Sequence, residues 1–211
     1  MGETRLVPVF YNADKDVAVN VLKACYDGGI RLFEFTCRGD AAADVFVHLM
    51  DFVRANLPDM MLGIGSVSDV RTARRFIALG ADFVVGPQFV PSVMRVCRWR
   101  RIPYMPGCGT VSEVGRAQRC GCDVCKVFPG EVLGPAFVKA LLAPMPWSRV
   151  MVTGGVRPER ENLEAWFKAG AFCVGMGSAL FPKQVIQAAD WKAVSDACAA
   201  SLSIIRDVTS V

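Results

Sequence analysis

The chain of 211 residues contains a single histidine, His48. Zinc enzymes build their sites from two or three imidazoles, so the count argues against a metal centre. A Ser-His-Asp triad would need His48 as its base. That residue falls in Ala43–Asp51, whose spacing is that of an amphipathic helix, and it reads as a surface or half-buried helical side chain. An enzyme of this composition is expected to work without histidine.

Long apolar runs are also missing. A hydrophobic content of 53% and a mean hydropathy of +0.33 raise the question of a membrane protein. The longest uncharged stretch, Ala169–Pro182, is too short to span a bilayer and is broken by glycines and a proline. Met1–Arg5 carries one acid and one arginine, unlike the basic opening of an export signal. The nine cysteines are odd in number and scattered through apolar segments, as expected of reduced thiols in a cytoplasmic protein. A net charge of +4 is too small to suggest a nucleic-acid partner and suits a small anionic substrate only weakly. The apolar content excludes a mainly disordered chain. No linker-like segment divides it, so residues 1–211 read as one domain.

What is present is alternation. Short β-rich runs occur at Leu6–Tyr11, Leu32–Thr36, Met60–Val67, Phe83–Gln88, Pro103–Cys108, Val124–Pro129, Arg149–Val156 and Cys173–Leu180. Helical spacing fills the gaps at Val17–Tyr26, Ala42–Ala55, Val70–Leu79, Pro91–Arg101, Ser112–Arg119, Pro135–Leu142 and Glu159–Lys168. Such alternation implies parallel strands joined by helical crossovers, and eight units imply closure into a single (β/α)8 TIM barrel, with a doubly wound open sheet as the alternative. Residues 190–208 form the last outer helix. Gly28-Gly29, Gly80 and Gly170 stand where helices stop and strands begin. Little chain precedes the first strand, so little is left to plug the bottom of the barrel.

In such a barrel the chemistry sits at the C-terminal strand ends. Of seven lysines, only Lys126 lies within a strand, sharing a face with Val124 and Phe128. An amine enclosed in a barrel is costly to charge, which favours the neutral form that attacks a ketone to make a Schiff base. A structural lysine paired with an interior acid is the plain alternative. Glu34, Thr36 and Arg38 share the face opposite Phe33, Phe35 and Cys37, an arrangement able to move protons and hold a carboxylate, or simply a buried ion pair. Thr153-Gly154-Gly155 and Gly175-Met176-Gly177-Ser178 end the last two strands, where exposed N–H groups suit an anion. Cys120, Cys122 and Cys125 lack a nearby fourth soft ligand and read as small structural thiols. The basic run Arg95–Arg101 ends a helix, where cations favour the macrodipole.

These motifs resemble one family, the class I aldolases that cleave 2-keto-3-deoxy-6-phosphogluconate (KDPG) and 4-hydroxy-2-oxoglutarate (KHG). The resemblance runs from Leu6 to about Pro182. It rests on Leu6-Val7-Pro8-Val9, Gly28-Gly29-Ile30 through Arg38, Gly63-Ile64-Gly65-Ser66-Val67 and Pro106-Gly107-Cys108-Gly109-Thr110. It continues through Lys126-Val127-Phe128-Pro129, Thr153-Gly154-Gly155-Val156 and Gly177-Ser178. It implies Lys126 as the Schiff-base lysine, Glu34 as general acid and base, and Arg38 and Ser66 as carboxylate ligands. Pro87 and Phe128 would wall the keto-acid pocket and Thr153 would touch the substrate. Gly154, Gly155, Gly177 and Ser178 would receive a distal phosphate. It further implies small keto-acid and aldehyde substrates, no cofactor beyond the covalent imine, and a homotrimer. Ser66 stands in place of the usual Thr, Gly109 in place of a small Ala or Ser, and Gly130 where Ala often follows Phe-Pro. The family's first helix is missing or very short. A catalytically silent sugar-acid-binding barrel, or another phosphate-binding barrel enzyme, is the competing reading.

Overall fold

Strands buried on both faces need cover outside and filling inside, and a barrel supplies both. In the computed structural model, which describes residues 4–210, β1 (Leu6–Phe10), β2 (Leu32–Thr36), β3 (Met61–Gly65) and β4 (Val84–Val85) alternate with α1 (Lys15–Asp27), α2 (Ala42–Asn56), α3 (Val70–Ala78) and α4 (Pro91–Arg100). β5 (Tyr104–Met105), β6 (Gly107–Cys108), α5 (Val111–Arg119), β7 (Val124–Val127) and α6 (Gly130–Leu142) follow. The chain ends with β8 (Arg149–Thr153), α7 (Arg160–Lys168), β9 (Cys173–Met176), α8 (Lys183–Gln187) and α9 (Trp191–Thr209). The ends of the expected 1–211 domain, and any helix in the first three residues, lie outside the described residues.

All ladders are parallel, in the order β5-β4-β3-β2-β1-β9-β8-β7-β6. The two ends of that order are halves of one strand, split at Pro106, so the sheet closes on itself. The expected fifth strand, Pro103–Cys108, is therefore two short pieces, because proline has no N–H to give to a ladder. Its carbonyl still accepts from Lys126 N–H at 2.8 Å, and Gly107 N–H donates to the Gly86 carbonyl at 2.9 Å. Other expected strands run past the ends of their ladders. The fourth ladder stops before Gly86-Pro87, and the last stops before Gly177-Ser178.

The sixth helix begins at Gly130, five residues before the expected start, and is interrupted at Gly134, where φ is +72°. Pro135 opens the second piece, a position that needs no N–H, which is why the sequence pattern marks the start there. The short α8 carries no buried residue, so it leaves no periodic apolar signal. The final helix is capped by Asp190, whose Oδ1 accepts from Ala193 N–H at 3.0 Å, and it packs on α1 and α7. Gly80 and Gly170 adopt φ of +101° and +100°, the left-handed stops expected of them.

The core has two compartments. The larger lies between the strands and helices, with Phe33, Phe35, Phe46 and Phe76 fully buried. The smaller fills the barrel itself with Val7, Leu32, Phe83, Val85, Met105, Met151 and Cys173. Gly63 makes room for the Phe83 ring, which a Cβ there would overlap. The barrel is thus plugged from within by its own strand side chains, correcting the expectation of a poorly filled bottom. No helix of the described residues is long and apolar enough to cross a membrane.

Candidate active site

Above this apolar plug the inward faces turn polar. In β2 the alternation sends Phe33 and Phe35 out to the helices and leaves Glu34 and Thr36 inside, 1% and 2% exposed. In β7 the same rule sends Cys125 outward, its Sγ 3.9 Å from the Val114 carbonyl, and Lys126 inward, 7% exposed. Lys126 pairs in register with Gly107 on one side and Met151 on the other. Its Nζ stands 5.0 Å from the centre of the Phe128 ring, two residues nearer the mouth and just past the end of β7. The Phe128–Pro129 peptide is cis.

Glu34 is a perturbed carboxyl. Burial pushes its pKa above the ordinary value of 4.5, and the positive charges of Lys126 and Arg38 pull the other way without winning. Lys126 and Glu34 therefore sense each other, yet among the described residues no salt bridge joins them. Glu34 Oε2 is buried without a hydrogen-bond partner, and so is Thr153 Oγ1 on β8. Orphaned buried polar atoms are rare, and two of them facing one barrel mouth are groups prepared for a ligand.

Glycines give these side chains their room. Gly65, in register with Thr36, lies against the Glu34 carboxylate, and a Cβ there would overlap Oε1. Gly175, in register with Thr153, similarly clears space for its side chain. Gly65→Ala is expected to displace the buried carboxylate and cost about 1–3 kcal/mol of stability. The check is the urea midpoint, which should fall with an unchanged slope.

The mouth opens into a cavity of about 530 Å³ that gathers Thr36, Arg38, Phe128, Thr153, Gly154, Gly155, Gly177 and Ser178. Eight expected or candidate positions from four strand ends thus meet in one space. Ser66 and Pro87 do not line it, nor are the buried Glu34 and Lys126 among its lining residues. Ser66 follows Gly65 at the end of β3 with φ +63°, a costly backbone for a non-glycine. Pro87 is exposed, and its carbonyl packs on Gly107, the register partner of Lys126.

The remaining expectations fall elsewhere. His48 is exposed on α2. All nine cysteines are free, and burial pushes the Cys97 and Cys122 thiols up to about 12, which suits inert packing groups. Among the described residues no cluster of three or more His, Cys, Asp or Glu could hold a metal ion. Gly109, standing in place of a small Ala or Ser, donates its N–H to Glu113 Oε2 at 2.8 Å, while Thr110 caps α5 by accepting from Glu113 N–H at 3.2 Å.

Sequence reasoning missed two residues of the turn after β8. Arg157 lines the cavity beside Gly155. Asn162, in the first turn of α7, accepts from Arg157 N–H at 2.8 Å and donates to the Gly155 carbonyl at 3.1 Å. Arg157 follows the glycine motif by two positions and could have been noticed. Asn162 carries no local signal, because its role depends on the turn folding back onto the helix.

Comparison with known proteins agrees with this geometry. Residues 1–197 match the profile of the family described as "Aldolase: KDPG and KHG aldolase". A 2-dehydro-3-deoxy-phosphogluconate aldolase of Treponema pallidum is 34% identical over 206 residues, covering 97% of this chain and 95% of the relative. One from Pseudomonas aeruginosa is 32% identical, covering 91% and 85%. Among solved structures, the KDPG aldolase of Legionella pneumophila, captured with pyruvate as a covalent carbinolamine, superposes with a TM-score of 0.85 at 26% identity and 94% coverage of both chains.

Proposed function

Because the chain belongs to the KDPG and KHG aldolase family, we propose that it cleaves 2-keto-3-deoxy-6-phosphogluconate, and 4-hydroxy-2-oxoglutarate, to pyruvate and an aldehyde through a Schiff base on Lys126. The observation that carries the assignment of residues is the inward pair in one barrel: a buried amine on β7 and a buried, unpartnered carboxyl oxygen on β2.

The Lys126 amine adds to C2 of the keto acid, giving a carbinolamine. Glu34 supplies the proton with which the C2 oxygen leaves as water, and a cationic imine remains. Glu34, now ionised, takes the C4 hydroxyl proton. The C3–C4 electron pair flows into the imine, releasing glyceraldehyde 3-phosphate or glyoxylate and leaving an enamine. Protonation at C3 and addition of water then return pyruvate and the free amine. The imine is the electron sink, so the step asks for no metal or organic cofactor. Arg38 holds the keto-acid carboxylate and Phe128 walls the ring of space above the amine. Thr153 supplies its unsatisfied hydroxyl to the substrate. Ser66 and Pro87, just past β3 and β4, stand outside this cavity, and Gly154, Gly155, Gly177 and Ser178 receive the far phosphate through backbone N–H groups.

The protein acts as a cytoplasmic homotrimer in this account, supported by the family resemblance and by nine free thiols suited to a reducing compartment. Incubation with 2-keto-3-deoxy-6-phosphogluconate is expected to yield pyruvate and glyceraldehyde 3-phosphate in equal amounts. Failure to cleave both this substrate and 4-hydroxy-2-oxoglutarate would overturn the proposal.

A further inference from the structure

The distal end of the cavity carries an electrostatic problem. Glu131, in the first turn of α6, lies against the glycine turn: a Cβ on Gly154 would overlap its Oε2, and one on Gly155 would come within 2.9 Å of its Cα and Cβ. An anion bound by the backbone N–H groups of that turn would sit close to a carboxylate, and backbone dipoles alone are poorly matched to that repulsion. Only two charged side chains line the cavity among the described residues, Arg38 and Arg157. Arg38 follows β2, and Arg157 follows β8.

Those strands are separated by β1 and β9 in the barrel, hence three strand spacings, or roughly 14 Å along the wall. With Arg38 committed to the keto-acid carboxylate, Arg157 is the cation available to the other end. It is held ready rather than locked. Its Nε lies 3.2 Å from Glu159 Oε2, leaving both terminal nitrogens of the guanidinium uncommitted. Both partners of this ion pair are more than 60% exposed, 64% and 62%, so water screens it and the side chain is free to turn toward a better anion. Asn162 clamps the backbone on both sides of Val156, fixing where the Arg157 side chain emerges.

Building on the aldolase reading, we infer that Arg157 is a specificity-determining residue that selects substrates bearing a phosphate monoester at the end remote from the keto acid. Its guanidinium takes the phosphate as a forked pair of charge-assisted hydrogen bonds and offsets Glu131. A short diacid such as 4-hydroxy-2-oxoglutarate places its second carboxylate too near the first to reach from Arg38 to Arg157. The protein is therefore tuned for a phosphorylated six-carbon keto acid.

The test compares kcat and KM for 2-keto-3-deoxy-6-phosphogluconate and for its unphosphorylated counterpart in wild type, Arg157→Gln and Arg157→Lys. The Gln variant is expected to lower the preference for the phosphorylated substrate by roughly tenfold to a hundredfold, the worth of a hydrogen bond to a charged group, chiefly through KM. Lysine should restore part of it, having the charge without the fork. The KM for the phosphorylated substrate should also rise with salt in wild type and less steeply in Arg157→Gln. An unchanged preference, or an equal loss on both substrates, would overturn the inference. Pyruvate and borohydride labelling of the wild type runs alongside. If it fails, the aldolase reading itself is at fault; if it succeeds while the preference is unmoved, only the role of Arg157 is.

Discussion

Lys126→Ala is expected to lower kcat roughly 10⁴-fold or more, because removal of the nucleophile removes the covalent route altogether. Lys126→Arg should be as inactive. It keeps a positive charge next to Phe128 and opposite Glu34, but a guanidinium stays protonated and cannot form the imine. The pair of variants separates two roles that a single substitution confounds. If Lys126 served only to balance the buried Glu34 charge, arginine would preserve activity. If the protein were another kind of phosphate-binding barrel enzyme, both variants would retain it. Steady-state cleavage, with circular dichroism to establish that each variant is folded, decides among these outcomes.

Glu34→Gln is expected to lower kcat by about 10²–10⁴, the usual worth of a positioned acid and base. In the proposed mechanism the residue is protonated to help expel water and ionised to accept the C4 hydroxyl proton, and burial raises its pKa above the ordinary 4.5. Activity should therefore fall on the acid side through a pKa above 4.5, and that limb should be absent from the residual activity of the Gln variant. Stability has the matching sign. A folded pKa raised above the unfolded one means that the native state binds the proton more tightly. The contribution of Glu34 to stability is then complete below the unfolded value and is lost as pH rises through the folded one. Relative to Glu34→Gln, wild type should lose stability as pH rises above the ordinary carboxyl value of 4.5, measured by urea denaturation over a pH series. The buried carboxyl thus carries some cost to the fold.

These two residues were legible in the sequence because strand alternation is a local rule. Phe33 and Phe35 against Glu34 and Thr36, or Cys125 against Lys126, assign opposite faces without any knowledge of the neighbours. The closure into eight units was legible for the same reason. What escaped depends on long-range geometry. The split at Pro106 follows from where the strand must switch partners, β4 before it and β7 after it. The kink at Gly134 hides the true start of α6, since the periodic signal resumes only at Pro135. The apolar plug of seven residues cannot be distinguished in sequence from the outer core, because Val, Met and Phe serve both. The cavity, likewise, is broader than the motifs that line it. Arg157 enters through a turn braced by Asn162, and Glu131 approaches the glycines from a different helix. Motif matching names Lys126, Glu34 and Arg38 but neither Arg157 nor Glu131.

The central claim is that the interior amine of Lys126 forms a covalent imine with a keto acid. The most direct measurement is treatment with pyruvate and borohydride, followed by peptide mass mapping. One reduced pyruvyl unit per chain, on Lys126 and absent from Lys126→Arg, is the predicted result. No adduct, or an adduct on any of the other six lysines instead, would contradict it.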